Sequence, residues 1–154
     1  MGFFDKIKTF VGADAPTITF TKIEDQLPVT DTVLKYNILV TSEKELTAMN
    51  VKGVLTAIYK NEDGAETQVI LASDIDNGDD WNPEQNPFPG KITKDKNWEY
   101  GGMVMMNDDK STLLQQLFAN KTKSPLKIML TVTLDIKETG MLFDPSIKRE
   151  ITIF

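Results

Sequence analysis

The chain reads as an all-β protein, an antiparallel β-sandwich of about seven or eight strands. Three observations predict this. Residues Leu126 to Ile136, L-K-I-M-L-T-V-T-L-D-I, alternate strictly: Ile128, Leu130, Val132, Leu134 and Ile136 share one face, and Lys127, Met129, Thr131, Thr133 and Asp135 share the other. Side chains of a strand alternate between faces, so this segment is a long central strand with one buried face. Further segments repeat the same period of two between turn residues. Finally, the strands follow one another without the long intervening helices that a parallel α/β sheet needs.

The elements are expected in the following order. Phe3, Phe4, Ile7, Phe10 and Val11 recur at helical spacing, with Asp5, Lys6, Lys8 and Thr9 on the other side. This predicts a short amphipathic helix over residues 1–12, ended by Gly12 and shut off by Pro16. Thr17 to Lys22 is a first strand with Ile18 and Phe20 inward, and Leu27 to Asp31 a turn region. Val33 to Val40 places Leu34, Tyr36, Ile38 and Val40 on one face. Ser42 to Asn50 is polar, with room for one helical turn around Leu46.

Val51 to Lys60 and Thr67 to Ala72 form a hairpin, turned at Asp63-Gly64. The pattern then breaks. Residues 73–97 read as a long acidic, Pro-containing loop, whose Ser73 to Gly90 part holds four Asp, three Pro and two Gly. A loop of that length in a small domain is functional or mobile. Strand character returns from Trp98 to Met106, with Gly101-Gly102 marking a bulge or a close backbone approach. Leu113, Leu114, Leu117 and Phe118 predict a short helix over 112–119, capped by Ser111. The central strand follows, and Ile147 to Phe154 closes the sheet with Ile147, Ile151 and Ile153 on one face. A length of 154 residues suits one domain over 1–154.

Composition removes several function classes. The net charge of −6 argues against nucleic acid as a partner, because phosphate binding needs clustered Lys and Arg. With neither Cys nor His, disulfides, thiolate chemistry, Ser-His systems and imidazole or thiolate metal sites are all excluded. No run approaches the length of a transmembrane helix. Asp5, Lys6 and Lys8 interrupt any signal-peptide core, and Lys6 stands where a myristoylation signal needs Ser or Thr. A cytoplasmic location is expected, without peripheral membrane contact.

A resemblance rests on the two ends of the chain, about a third of its length. T-V-T-L-D-I-K-E-T-G-M-L-F-D-P-S-I-K-R-E-I-T-I, residues 131–153, resembles the end of the first domain of bacterial sporulation-control proteins. The pattern is a long strand ending Leu134-Asp135-Ile136, a loop with Asp144-Pro145, and a closing strand. The Phe3-Phe4-x-Lys6-Ile7 opening, with Val11-Gly12 and a first strand after it, is also similar. That family carries tandem arrestin-like sandwiches, and this chain has length for one. The resemblance implies an arrestin-like fold and a protein-binding, regulatory or scaffolding role, and it carries over no catalytic residue.

Three constellations bear on chemistry. Asp74, Asp76, Asp79 and Asp80 lie close together with Asn77, and such oxygens suit Ca2+, although the EF-hand spacing is not met. Trp81, Trp98 and Phe88 are candidates for an aromatic ligand platform or for a lid on the end of the sandwich. Ser124-Pro125-Leu126-Lys127 matches S-x-x-K but leads into a strand, where Ser and Lys point apart, so it is not catalytic. Met103, Met105 and Met106 are expected to fill core and offer contact surface. The expected function is therefore non-enzymatic, with a protein partner or self-association through Phe3, Phe4, Ile7 and Phe10 of the N-terminal helix. No cofactor is expected. The alternative is a Ca2+-assisted carbohydrate- or small-ligand-binding sandwich using the acidic loop with Trp81 and Trp98.

Overall fold

The computed structural model describes residues 16–138 and 144–154. The helix expected over 1–12, and with it Phe3, Phe4, Ile7 and Phe10, lies outside the described residues. The described residues form nine strands and one helix in the order β1 (Thr17–Ile23), β2 (Gln26–Leu27), β3 (Val33–Thr41), β4 (Leu46–Lys60), β5 (Glu66–Asp76), β6 (Gly90–Ile92), β7 (Trp98–Met105), α1 (Asp108–Ala119), β8 (Lys127–Ile136) and β9 (Ser146–Ile153). They build two sheets. One has the order β1-β3-β7; the other runs β2-β9-β8-β4-β5, with β6 pairing to the start of β4. All pairings are antiparallel except the two-residue contact of β2 with β9.

The core lies between the sheets, and alternation explains it. On β8, Ile128, Leu130, Val132, Leu134 and Ile136 are all buried, as their spacing predicts. Facing them, β3 contributes Leu34, Tyr36, Ile38 and Val40, and β7 contributes Trp98, Tyr100 and Val104. These residues belong to one contiguous apolar cluster. Each such aliphatic side chain contributes about 1.5–3 kcal/mol by leaving water.

The polar loops are held by side chains of fitting chemistry. At the β4–β5 turn, Asn61 Oδ1 accepts from the amides of Asp63 and Ala65, both at 3.0 Å. Ser124 Oγ donates to the Lys60 carbonyl at 2.8 Å and accepts from its amide at 3.1 Å, so the serine of the S-x-x-K match is a brace for β4. In the Asp-Pro segment, Asp144 Oδ1 accepts from the Ile136 amide at 3.3 Å and the Pro145 carbonyl accepts from the Leu134 amide at 3.0 Å. These bonds finish β8 where it gives way to β9.

Several expectations need correcting. No helical turn forms around Leu46, because β4 already begins there and Leu46 pairs with Ile92. A β-bulge at Met49 hides the strand: Leu46 and Ala48 are buried before it, and Val51, Leu55 and Ala57 after it. The extra residue flips the alternation by one place. Helix α1 starts at Asp108 rather than at 112, and its cap is Asn107, whose Oδ1 accepts from the Lys110 amide at 2.9 Å. Ser111 is instead a buried residue of the first turn. The acidic segment is not all loop, since Asp74, Ile75 and Asp76 belong to β5 and 90–92 to β6.

Candidate interaction cleft

The second bulge shapes the site. Opposite Leu55 and Thr56 of β4, β5 inserts Leu71 between the paired residues Ile70 and Ala72. Without that insertion, Ile75 would face the core side and its acidic neighbours would face out. With it, Asp74 pairs with Gly53 and Asp76 with Val51, on the inner side of the sheet, while Ile75 turns outward. A bulge re-aims every side chain that follows it.

Asp76 is thereby carried to the neighbouring sheet, where its carboxylate joins three segments. Oδ2 accepts from the Tyr100 hydroxyl at 2.7 Å and from Trp81 Nε1 at 2.8 Å. Oδ1 accepts from the Gly78 amide at 3.0 Å. Gly78 has φ of +92°, a conformation that side chains disfavour, and this lets the chain turn back over Asp76. Bonds to an ionised acceptor are the strong ones, so Asp76 locks β5, β7 and the following loop together.

The tyrosine side of this lock stands in an aromatic row. Trp98 and Tyr100 stack with centroids 5.8 Å apart, Phe88 lies 5.5 Å from Tyr100, and Tyr36 lies 6.3 Å from Tyr100 on the other side. Gly102 makes the room, because a Cβ there would sit 2.7 Å from both tyrosine rings. Burial raises the Tyr100 hydroxyl well above its ordinary pKa, and its bond to Asp76 adds to this. Tyr36 is raised by burial and then by Asp74 and Asp76. Both tyrosines therefore stay protonated. Asp74 is raised as well, by partial burial first and then by the negative charges of Asp76 and Asp80.

Beside the lock lies a cleft of about 690 Å3. Its floor is Gly101-Gly102 with Asn37 behind, one wall is Met103 and Met105, and the other is Asp74, Ile75, Asp80 and Trp81. It opens where both sheets end. Among the described residues β7 pairs only with β3, and β5 only with β4, so each presents an unpaired edge. Large apolar side chains stand in water here: Ile75 is 61% exposed, Met103 47% and Met105 63%.

The structure divides the residues singled out from sequence. Trp81 is part of the cleft wall, half-buried on its bond to Asp76. Trp98 is no platform: it is 7% exposed, its indole donates to the Pro87 carbonyl at 3.3 Å, and Phe88 is buried with it. The strand's inward phase puts Trp98 in the core. Among the described residues no three acidic groups converge as metal ligands would. Asp76 is engaged by three donors, and Asp79 accepts from Asn77 Nδ2 at 3.1 Å. Met106 is core, while Met103 and Met105 are surface. Tyr36 and Tyr100 are cleft-side residues that their immediate sequence context does not mark as such. Their signal was the phase that Trp98, Tyr100, Gly102 and Val104 share, with the Gly in the aromatic register.

No family model matches this chain, and no curated protein does. Among solved structures it is similar to Spo0M, the sporulation control protein of Bacillus subtilis, with TM-score 0.55 and 14% identity over 92% of this chain. The chain spans about half of that protein, 49% of its length. It is also similar to a protein from Archaeoglobus fulgidus, with TM-score 0.50 and 12% identity over 89% of this chain and 92% of that one. At these identities the likeness shows the fold, an all-β sandwich of the arrestin-like kind.

Proposed function

We propose that this sandwich is a non-enzymatic protein-interaction module with a regulatory or scaffolding role. The observation that carries the reading is the meeting of two unpaired sheet edges at one cleft, with Ile75, Met103 and Met105 exposed around it. Unpaired edges and contiguous exposed apolar side chains are costly features that a partner would cover. The Asp76 lock supports the same reading, because it holds the cleft walls in place before a partner arrives, and a preorganised surface loses less entropy on binding. A fold neighbour described as a sporulation control protein fits a regulatory role. Ca2+-assisted ligand binding has no comparable support, since two of the four carboxylates it needs, Asp76 and Asp79, already accept from other donors.

The test is affinity capture from the source cells with the full chain, compared with a Met103→Asp/Met105→Asp variant. Both positions are exposed, so the variant should melt within a few degrees of the parent. The reading expects a set of retained proteins that the variant loses. An identical set from both, or none from either, would sink it.

A further inference from the structure

The cleft has a charge pattern as well as an apolar one, and the two lie on different sides of the β7 edge. Asp74 is on the inner side of its sheet because of the Leu71 bulge, and Asp80 joins it on the same wall. Neither has a cationic partner among the described residues. On the outer side of β7 stand Met103 and Met105, with Lys35 paired across from Met103. Between the two sides runs the unpaired backbone edge of β7, which among the described residues makes no hydrogen bond to any segment but β3 through Gly101 to Met105. Gly101 bears no side chain on the floor, and a Cβ there would come no closer than 3.4 Å to its nearest neighbour. Packing therefore does not demand glycine at 101, and its absent side chain leaves the floor open.

An extended strand alternates its side chains between two faces, and this edge offers two faces of different chemistry. We infer that the cleft takes an extended peptide segment that adds as a fourth strand along β7, with a Lys or Arg directed toward Asp74 and Asp80 and apolar residues beside Met103 and Met105. Main-chain bonds to the edge supply affinity, and the alternate side chains supply selectivity. This inference rests on the interaction reading above and names its ligand class. Inward-facing carboxylates can also serve to keep strands off an edge, and that rival makes the opposite prediction.

The probe is a capped nine-residue peptide alternating Lys with Val, titrated by fluorescence anisotropy against the full chain. Two controls accompany it: the same peptide with Glu for Lys, and one with Pro for alternate Val, which removes backbone donors. Amide shifts of the labelled protein locate the binding. The expected result is saturable binding of the Lys peptide alone, with shifts at Gly101 to Met105 and Ile75. Affinity should fall about tenfold in Asp74→Asn/Asp80→Asn and weaken with salt. No binding would favour the guarding role and overturn the inference. Equal binding of the Glu or Pro peptide would overturn it too, as would shifts confined to another face. A peptide-independent dimer that perturbs the same residues would assign the cleft to a second copy of the chain. If the peptide fails while capture from cells still depends on Met103 and Met105, the ligand class is wrong and the interaction reading stands. If both fail, the interaction reading falls as well.

Discussion

Replacing Asp76 with alanine would test whether one carboxylate holds the cleft together. The substitution removes an acceptor from Tyr100 at 2.7 Å, from Trp81 at 2.8 Å and from the Gly78 amide at 3.0 Å. A hydrogen bond to a charged group is worth about 1.5–3 kcal/mol, but such values do not add within one network. Asp76 and Trp81 are half-buried, so water would replace part of what is lost at the indole. Tyr100 is buried, and its hydroxyl would keep the larger penalty. The expected loss is therefore about 2–4 kcal/mol, set mainly by the tyrosine.

The assay is urea denaturation of Asp76→Ala, Tyr100→Phe and the double variant. If the lock acts through Tyr100, the double variant costs less than the sum of the singles, by a coupling of about 1–2 kcal/mol. Asp79→Ala is the control. Asp79 is exposed and bonds within its own turn, so its change should stay within about 0.5 kcal/mol. A loss below about 0.5 kcal/mol for Asp76→Ala, or strict additivity with Tyr100→Phe, would refute the lock.

Leu130→Ala or Leu134→Ala removes a fully buried side chain of the central strand and should cost about 2–5 kcal/mol in the same denaturation assay. Gly102→Ala drives a methyl to 2.7 Å from the rings of Tyr36 and Tyr100, and about 1–3 kcal/mol of overpacking should appear as a lowered Tm. Tyr100 and Tyr36 bind their protons more tightly folded than unfolded, where the ordinary value is 10.0. The folded state thus holds more protons above that pH, so stability is full below pH 10.0 and declines as pH rises past it, and Tyr100→Phe should flatten the decline in melts across alkaline buffers. Asp74 has a raised folded pKa, so its charge opposes folding: stability falls as pH rises from the unfolded value of 3.8 through the folded one. Asp74→Asn should therefore melt slightly higher than the parent at neutral pH and converge with it in acid.

What could be read from the sequence was whatever depends on an unbroken local period. The faces of β3, β8 and β9 follow from alternation of Leu34 to Val40, Ile128 to Ile136 and Ile147 to Ile153, and the Asp63-Gly64 step marked its hairpin. The apolar residues of α1 were visible, while its first turn, Asp108 to Ser111, was hidden by its polarity. The cleft residues Trp81, Asp74 and Asp80 stood out by composition. Their arrangement did not, because two bulges, at Met49 and Leu71, reset the phase of β4 and β5. A bulge is one extra residue accommodated by the hydrogen-bond ladder of a partner strand, and it leaves no mark in the residue types on either side. Read in simple alternation, Ile75 belongs inside and Asp74 and Asp76 outside; the ladder to β4 reverses this and brings Asp76 within 2.7 Å of Tyr100, 24 residues away in the chain. Which strands become edges is likewise a matter of pairing between distant segments. The side-by-side edges of β5 and β7, and so the cleft itself, were decided only when the two sheets packed together.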